Sequence, residues 1–141
     1  MLLRCGLTNF TEIFLIVTFQ YYPKKLDVNN LEEWPFDNVA SDYVIVSGHP
    51  SASGRIDFLS ADGLSRAGIW RCTPGIFDCN ELGDELQTIT AGRVVLSMEG
   101  QASIECVPGD SVFTRKGWRV RWDIRETVTK IFHTSNLYEA A

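Results

Sequence analysis

The chain has only two histidines in 141 residues, His49 and His133, so no metal site built from three imidazoles can be assembled from it. Its four cysteines, Cys5, Cys72, Cys79 and Cys106, form no C-x-x-C pair, which removes zinc-knuckle and thioredoxin-type redox readings. There is no run of Lys and Arg, and the formal net charge is −5, so nucleic acid and anionic membrane are poor partners. The longest apolar run, FTEIFLIVTFQYY from Phe10 to Tyr22, falls short of the roughly 20 residues that cross a bilayer. No segment sustains an apolar 3.6-residue period over three turns, and no segment is of low complexity.

What is present suits one soluble domain: 45% hydrophobic and 22% charged residues in a chain long enough to bury about two-thirds of its unfolded surface. Scattered cysteines read as reduced, buried thiols, and a cytoplasmic setting follows. Glu12 interrupts the apolar run and no small-residue cleavage site follows it, so the run does not read as a signal peptide. Its Ile, Val, Thr, Phe and Tyr favour a β-strand that something must cover.

From 27 to 42 the polar stretch with anchors Leu31, Trp34 and Phe36 reads as an irregular arm laid over a body. Short β-rich runs follow at 43–47, 55–60, 67–72, 76–79, 85–89, 93–98, 102–107, 111–114, 118–124 and 127–133. Gly, Pro, Asp and Ser punctuate the connectors between them. In WRVRWDI, Trp118, Val120, Trp122 and Ile124 share one face and Arg119, Arg121 and Asp123 the other. The expectation is an all-β, double-sheet jelly-roll barrel over 27–141, preceded by an N-terminal extension, 1–26, whose apolar strand adds to a partner's sheet in a homodimer.

The blocks VSGHPSASGRIDF, GIWRCTPGIF, GDELQTITAGRVVL, VPGDSVFTRKGWRVRWDI and ETVTKIF, over about residues 34 to 133, resemble the cupins, and within them the ureidoglycine aminohydrolase-like group. Metal-binding cupins carry G-x5-H-x-H-x3,4-E-x6-G, and Glu85 with Gly92 matches its second half. The histidine pair falls on Asp78 and Asn80 or on Cys79 and Glu81, depending on the spacer. In the second motif, aligned on Gly109 and Gly117, the histidine position falls on Val120, and Arg115 stands for the proline. The resemblance implies a cupin barrel whose usual metal-ligand set survives only at Glu85.

Two functions follow from this. The first is a metal-independent module that binds a small organic ligand without a cofactor, with Glu85, Trp70, Trp118, Trp122, Asp78, Glu81 and His133 as candidate contacts. The second, implied by the resemblance, is a metal-dependent C–N hydrolase, with an atypical site at Asp78, Cys79, Glu81 and Glu85. Glu85 is also the candidate acid or base, since desolvation in a barrel favours its neutral form. Pairing with Arg, Lys or a backbone donor is the structural alternative for it. Cys72 or Cys79 with His133 would make a nucleophile pair if the fold brought them together. Arg71, Arg93, Arg121 and Lys130 are possible anion-binding groups that read as solvent-facing strand residues.

Overall fold

The structure, a computed structural model, describes residues 19–138 and, for the backbone alone, the strands Leu2–Gly6 and Glu12–Ile16. These two strands, β1 and β2, pair antiparallel with each other, Leu2 opposite Ile16, as a separate two-stranded sheet. Residues 10, 11, 17 and 18 of the apolar run lie outside the described residues.

Nine further strands build the body: β3 (Glu32–Glu33), β4 (Val44–Gly48), β5 (Ala52–Leu59), β6 (Arg66–Cys72), β7 (Gly75–Asn80), β8 (Asp84–Ser97), β9 (Ile104–Cys106), β10 (Ser111–Thr114) and β11 (Arg119–Ser135). All their pairings are antiparallel, and the described residues contain no helix. Strands β8 and β11 run beside each other for most of their length and serve two groups of neighbours. Their halves around Val94–Ser97 and Arg119–Ile124 lie in the order β4-β7-β11-β8-β9. Their other halves lie in the order β3-β5-β6-β11-β8-β10. The result is one antiparallel sheet curled on itself, two layers joined through two shared strands, as the all-β jelly-roll expectation requires.

The sequence runs 85–89 and 93–98 are one strand, and so are 118–124 and 127–133. The pairs Ala91-Gly92 and Arg125-Glu126, which look like breaks, are register irregularities inside β8 and β11. Gly92 has φ +80°, and a Cβ there would run into the Thr127 carbonyl, so only glycine allows β8 to bend against β11 at this point. The bend reverses which residues of β8 face inward. Gln87 and Ile89 are buried before it, Val94 and Leu96 after it.

The core lies between the layers. Phe77, Cys79, Leu96, Val120, Trp122 and Ile124 come from one side and Ala52, Cys72, Ile89 and Val128 from the other. The 27–42 arm does lie over this body. Its β3 pairs with the edge of β5, and Trp34 stacks edge-on against Phe132 over the space left by Gly54. Phe36 packs on Phe77 and Tyr43, with ring centroids 4.8 Å apart in each pair.

Candidate functional site

Strand alternation on β7, β8 and β11 sorts the residues that the motif spacing singles out. Asp78 and Asn80 point outward. Arg121, directly across from Asp78, holds its carboxylate with two hydrogen bonds, Nε–Oδ1 2.8 Å and Nη2–Oδ2 3.1 Å. This contact keeps the Asp78 carboxyl below the usual carboxylate range. Asn80 accepts from Arg119 and donates to the Ala40 carbonyl. Cys79 lies on the inner face, with Val120 opposite it in register, and Glu81, one residue past the end of β7, is also buried. Of the two spacings open to the sequence, the inward one is therefore Cys79 and Glu81.

These inward residues border a cavity of about 120 Å³ between the layers, under the arm and the segment after β11. Its chemistry centres on Lys130, which is only 5% exposed. Reading Lys130 as a solvent-facing residue is thus incorrect: it lies on the same face of β11 as Val120, Trp122, Val128, Phe132 and Thr134. Its Nζ donates to Glu85 Oε2 at 3.0 Å and to Gln87 Oε1, and it lies 4.4 Å from the centre of the Trp122 ring and 4.6 Å from that of Trp70. Register explains the cluster. Trp70 is opposite Lys130 across β6, and Thr134 lies between Arg66 on β6 and Glu85 on β8. Thr134 Oγ1 donates to Glu85 Oε1 at 2.9 Å, so both oxygens of Glu85 are engaged.

Glu81 sits on the other side of this cluster and is 9% exposed. Its Oε1 accepts from Trp122 Nε1 at 3.1 Å, and its Oε2 makes no hydrogen bond to a described residue. Burial, reinforced by the charge of Glu85, pushes the Glu81 carboxyl up to about 7, against the opposing pull of Lys130 and the Trp122 bond. A carboxyl raised in this way by burial is the kind of group that can serve as a general acid or base.

The remaining sequence candidates separate. Trp70 and Trp122 line the cavity, whereas Trp118, 38% exposed at the mouth of β11, lines a different apolar depression with Phe113, Ile104 and Met98. His133 points outward, its Nε2 3.3 Å from Ser65 Oγ. Cys72 and Cys79 are buried on the inside, so neither forms a nucleophile pair with it, and burial pushes their thiols up, that of Cys72 to about 12. Gln87, Thr134 and Arg66 are not among the sequence candidates, and Lys130 is among them only as a possible anion-binding group on a solvent-facing position. Even-numbered alternation carried on from Val120 to Thr134 marks both Lys130 and Thr134, and the Trp70 face of β6 marks Arg66.

A family model for the EutQ-like cupin domain matches residues 59–132, more than half of the chain, and takes in β6, β7, β8 and all but the last three residues of β11, the strands that line this cavity. The chain belongs to the EutQ-like cupin domain family. The match confirms the cupin fold and does not show the ureidoglycine aminohydrolase-like grouping inferred from the sequence. Solved EutQ-like and other cupin structures share the architecture. The EutQ protein of Clostridium difficile is 16% identical, with 62% of this chain and 69% of that one covered at a TM-score of 0.54. A Salmonella typhimurium protein described as ethanolamine utilization protein Q is 14% identical, with 98% and 96% covered at 0.61. A Pseudomonas syringae protein of unknown function is 25% identical at a TM-score of 0.65. The match covers 77% of this chain but only 45% of that protein's length. No curated protein matches the sequence.

Cupins are associated with a bound metal, and the inward residues of this EutQ-like cupin do not fit one. Val120 offers no donor, burial favours the protonated Cys79 thiol, and Asp78 is turned outward onto Arg121. The surviving motif glutamate already has a cation, the Lys130 ammonium. No group of three or more His, Cys, Asp and Glu among the described residues is placed to hold a metal ion.

Proposed function

We propose that this EutQ-like cupin binds a small polar organic molecule in the cavity beside Lys130, whose fixed ammonium answers Glu85 where a metal cation would otherwise stand. The observation that carries the reading is the buried Lys130, bonded to Glu85 and Gln87 and held between Trp70 and Trp122. Burying a charged amine is costly unless it is paired, and here the pairing occurs where a cavity opens between aromatic walls. Concave, mostly apolar space with a few fixed polar groups is the general form of a small-ligand site. A hydrolase of the ureidoglycine aminohydrolase kind relies on a metal, and both Glu85 oxygens are committed to Lys130 and Thr134, so binding is the reading preferred here.

The test is a thermal-shift screen of ureides, amino acids and sugars. A ligand specific to the folded state raises the melting temperature of the native chain, and the rise disappears in Trp70→Ala. A panel without any such ligand counts against the reading.

No described helix is long and apolar enough to cross a membrane. Unpaired thiols at Cys72, Cys79 and Cys106 support a reducing, cytoplasmic setting. A homodimer formed through the N-terminal strands belongs to the same proposal. The β1-β2 hairpin is a two-stranded sheet, too small to be stable unsupported, and β4 presents Val44, Ile45 and Val46, all more than 40% exposed, along an edge paired only with β7 among the described strands. Deleting residues 1–22 should convert a dimer into a monomer by light scattering; a monomer in both forms rules this out.

A further inference from the structure

The cavity wall holds a second cation. Arg66 borders the cavity, and its Nε is the one buried side-chain nitrogen or oxygen without a hydrogen-bond partner among the described residues. A guanidinium can only donate, and a buried donor left unpaired is unfavourable, so the wall lacks an acceptor at this point. The protein does not supply one. Glu85 lies in the same cross-strand row as Arg66, with Thr134 between them, but its oxygens are turned to Lys130 and Thr134.

Charge gives the sign of what is lacking. The ionisable groups bordering the cavity include two cations, Arg66 and Lys130, and two carboxylates, Glu81 and Glu85, with the buried Cys79 thiol and Tyr43 hydroxyl both pushed toward their neutral forms. When Glu81 keeps its proton, up to about pH 7, the lining is left with one positive charge in excess. At the same time Glu81 Oε2 is a second unfilled position, able to pair with a hydroxyl. The volume, about 120 Å³, sets the size, because a cavity of roughly 150 Å³ takes one benzene, a molecule of six heavy atoms.

We propose that the ligand is a short-chain hydroxycarboxylate of about six non-hydrogen atoms, its carboxylate held by Arg66 and its hydroxyl by Glu81. This rests on the cavity-binding reading above and specifies its ligand class. Lys130 does not bind the carboxylate in this arrangement; it neutralises Glu85, and Trp70 and Trp122 close the sides.

The test is calorimetric titration of the full chain with lactate and with lactamide, which has the same shape without the charge. Lactate should bind, lactamide should bind roughly ten- to a hundredfold more weakly, and Arg66→Gln should erase the difference. Lactate affinity should also fall as pH rises through about 7. Equal binding of the two probes, or lactate binding unchanged in Arg66→Gln, overturns the carboxylate anchor while leaving cavity binding intact. Failure of both probes, together with every compound of the ureide, amino-acid and sugar panel, overturns both proposals. If Arg66→Gln does not fold, the lactate-to-lactamide ratio and its pH dependence in the unsubstituted protein decide the matter alone.

Discussion

Two of the ion pairs whose cation comes from strand β11 are of nearly equal length, Lys130–Glu85 at 3.0 Å and Arg121–Asp78 at 2.8 Å. The inner pair is 6% and 14% exposed at its side chains, the outer pair 47% and 23%. Outside, water competes for both partners and Arg121 can leave at little cost. Inside, neither partner can be rehydrated, so each is held by further bonds, from Gln87 and two indole rings for Lys130 and from Thr134 for Glu85. The difference teaches where this molecule keeps its chemistry. On the inner face of the strand that carries Arg121 outside, a cation and a carboxylate are fixed groups around a cavity.

The comparison can be broken most severely at Lys130. Lys130→Met should cost about 3–5 kcal/mol in urea denaturation, because it leaves Glu85 charged and unpaired among apolar walls. The double substitution with Glu85→Gln should recover most of that loss. If the double variant is no more stable than the single one, the two residues are not coupled.

Next in size is Glu81. Its folded-state pKa is raised above the ordinary 4.5, so the native state holds the proton more tightly than the unfolded chain does. The resulting contribution is complete below about pH 4.5 and is lost as pH rises through about 7, a decline of roughly 3 kcal/mol. Glu81→Gln should flatten this part of the stability-versus-pH curve; an unchanged curve contradicts the assignment. Trp122→Phe removes the donor to Glu81 Oε1 and should cost about 1–3 kcal/mol by denaturation, most at alkaline pH, where the carboxylate needs that bond. The smallest effect is expected outside: Arg121→Ala should cost about 0–1 kcal/mol, and less in high salt. A loss as large as that at Lys130 would erase the contrast between the two faces.

Much of the fold was legible because alternation and turn residues are local signals. WRVRWDI gave the inner face of β11 at Val120, Trp122 and Ile124, and the order of strand-like runs gave the curled all-β sheet. Trp118 broke the pattern only because β11 begins one residue later, leaving its ring at the open mouth. The site was legible in part. Glu85, Glu81, Trp70 and Trp122 border one cavity, and the same alternation, carried six residues past Ile124, places Lys130 beside them. The polar Arg125-Glu126 pair looked like the end of a strand and hid that continuity. Other features depend on geometry that no short window contains. The bend at Gly92 decides that Glu85 and Val94, of opposite parity, both face inward. The register of β7 against β11 decides that Asp78 meets Arg121 and not a ligand. The orphaned Arg66 Nε is visible only once its row partners are known to be occupied elsewhere.

The central claim is that the cation answering Glu85 is the protein's own Lys130. Metal analysis of untagged protein, on the native chain and on Glu85→Gln, tests this most directly. The account predicts no stoichiometric Mn, Fe, Ni or Zn in either form. One equivalent per chain in the native protein, released by Glu85→Gln, would contradict it and return the cavity to a metal-dependent chemistry.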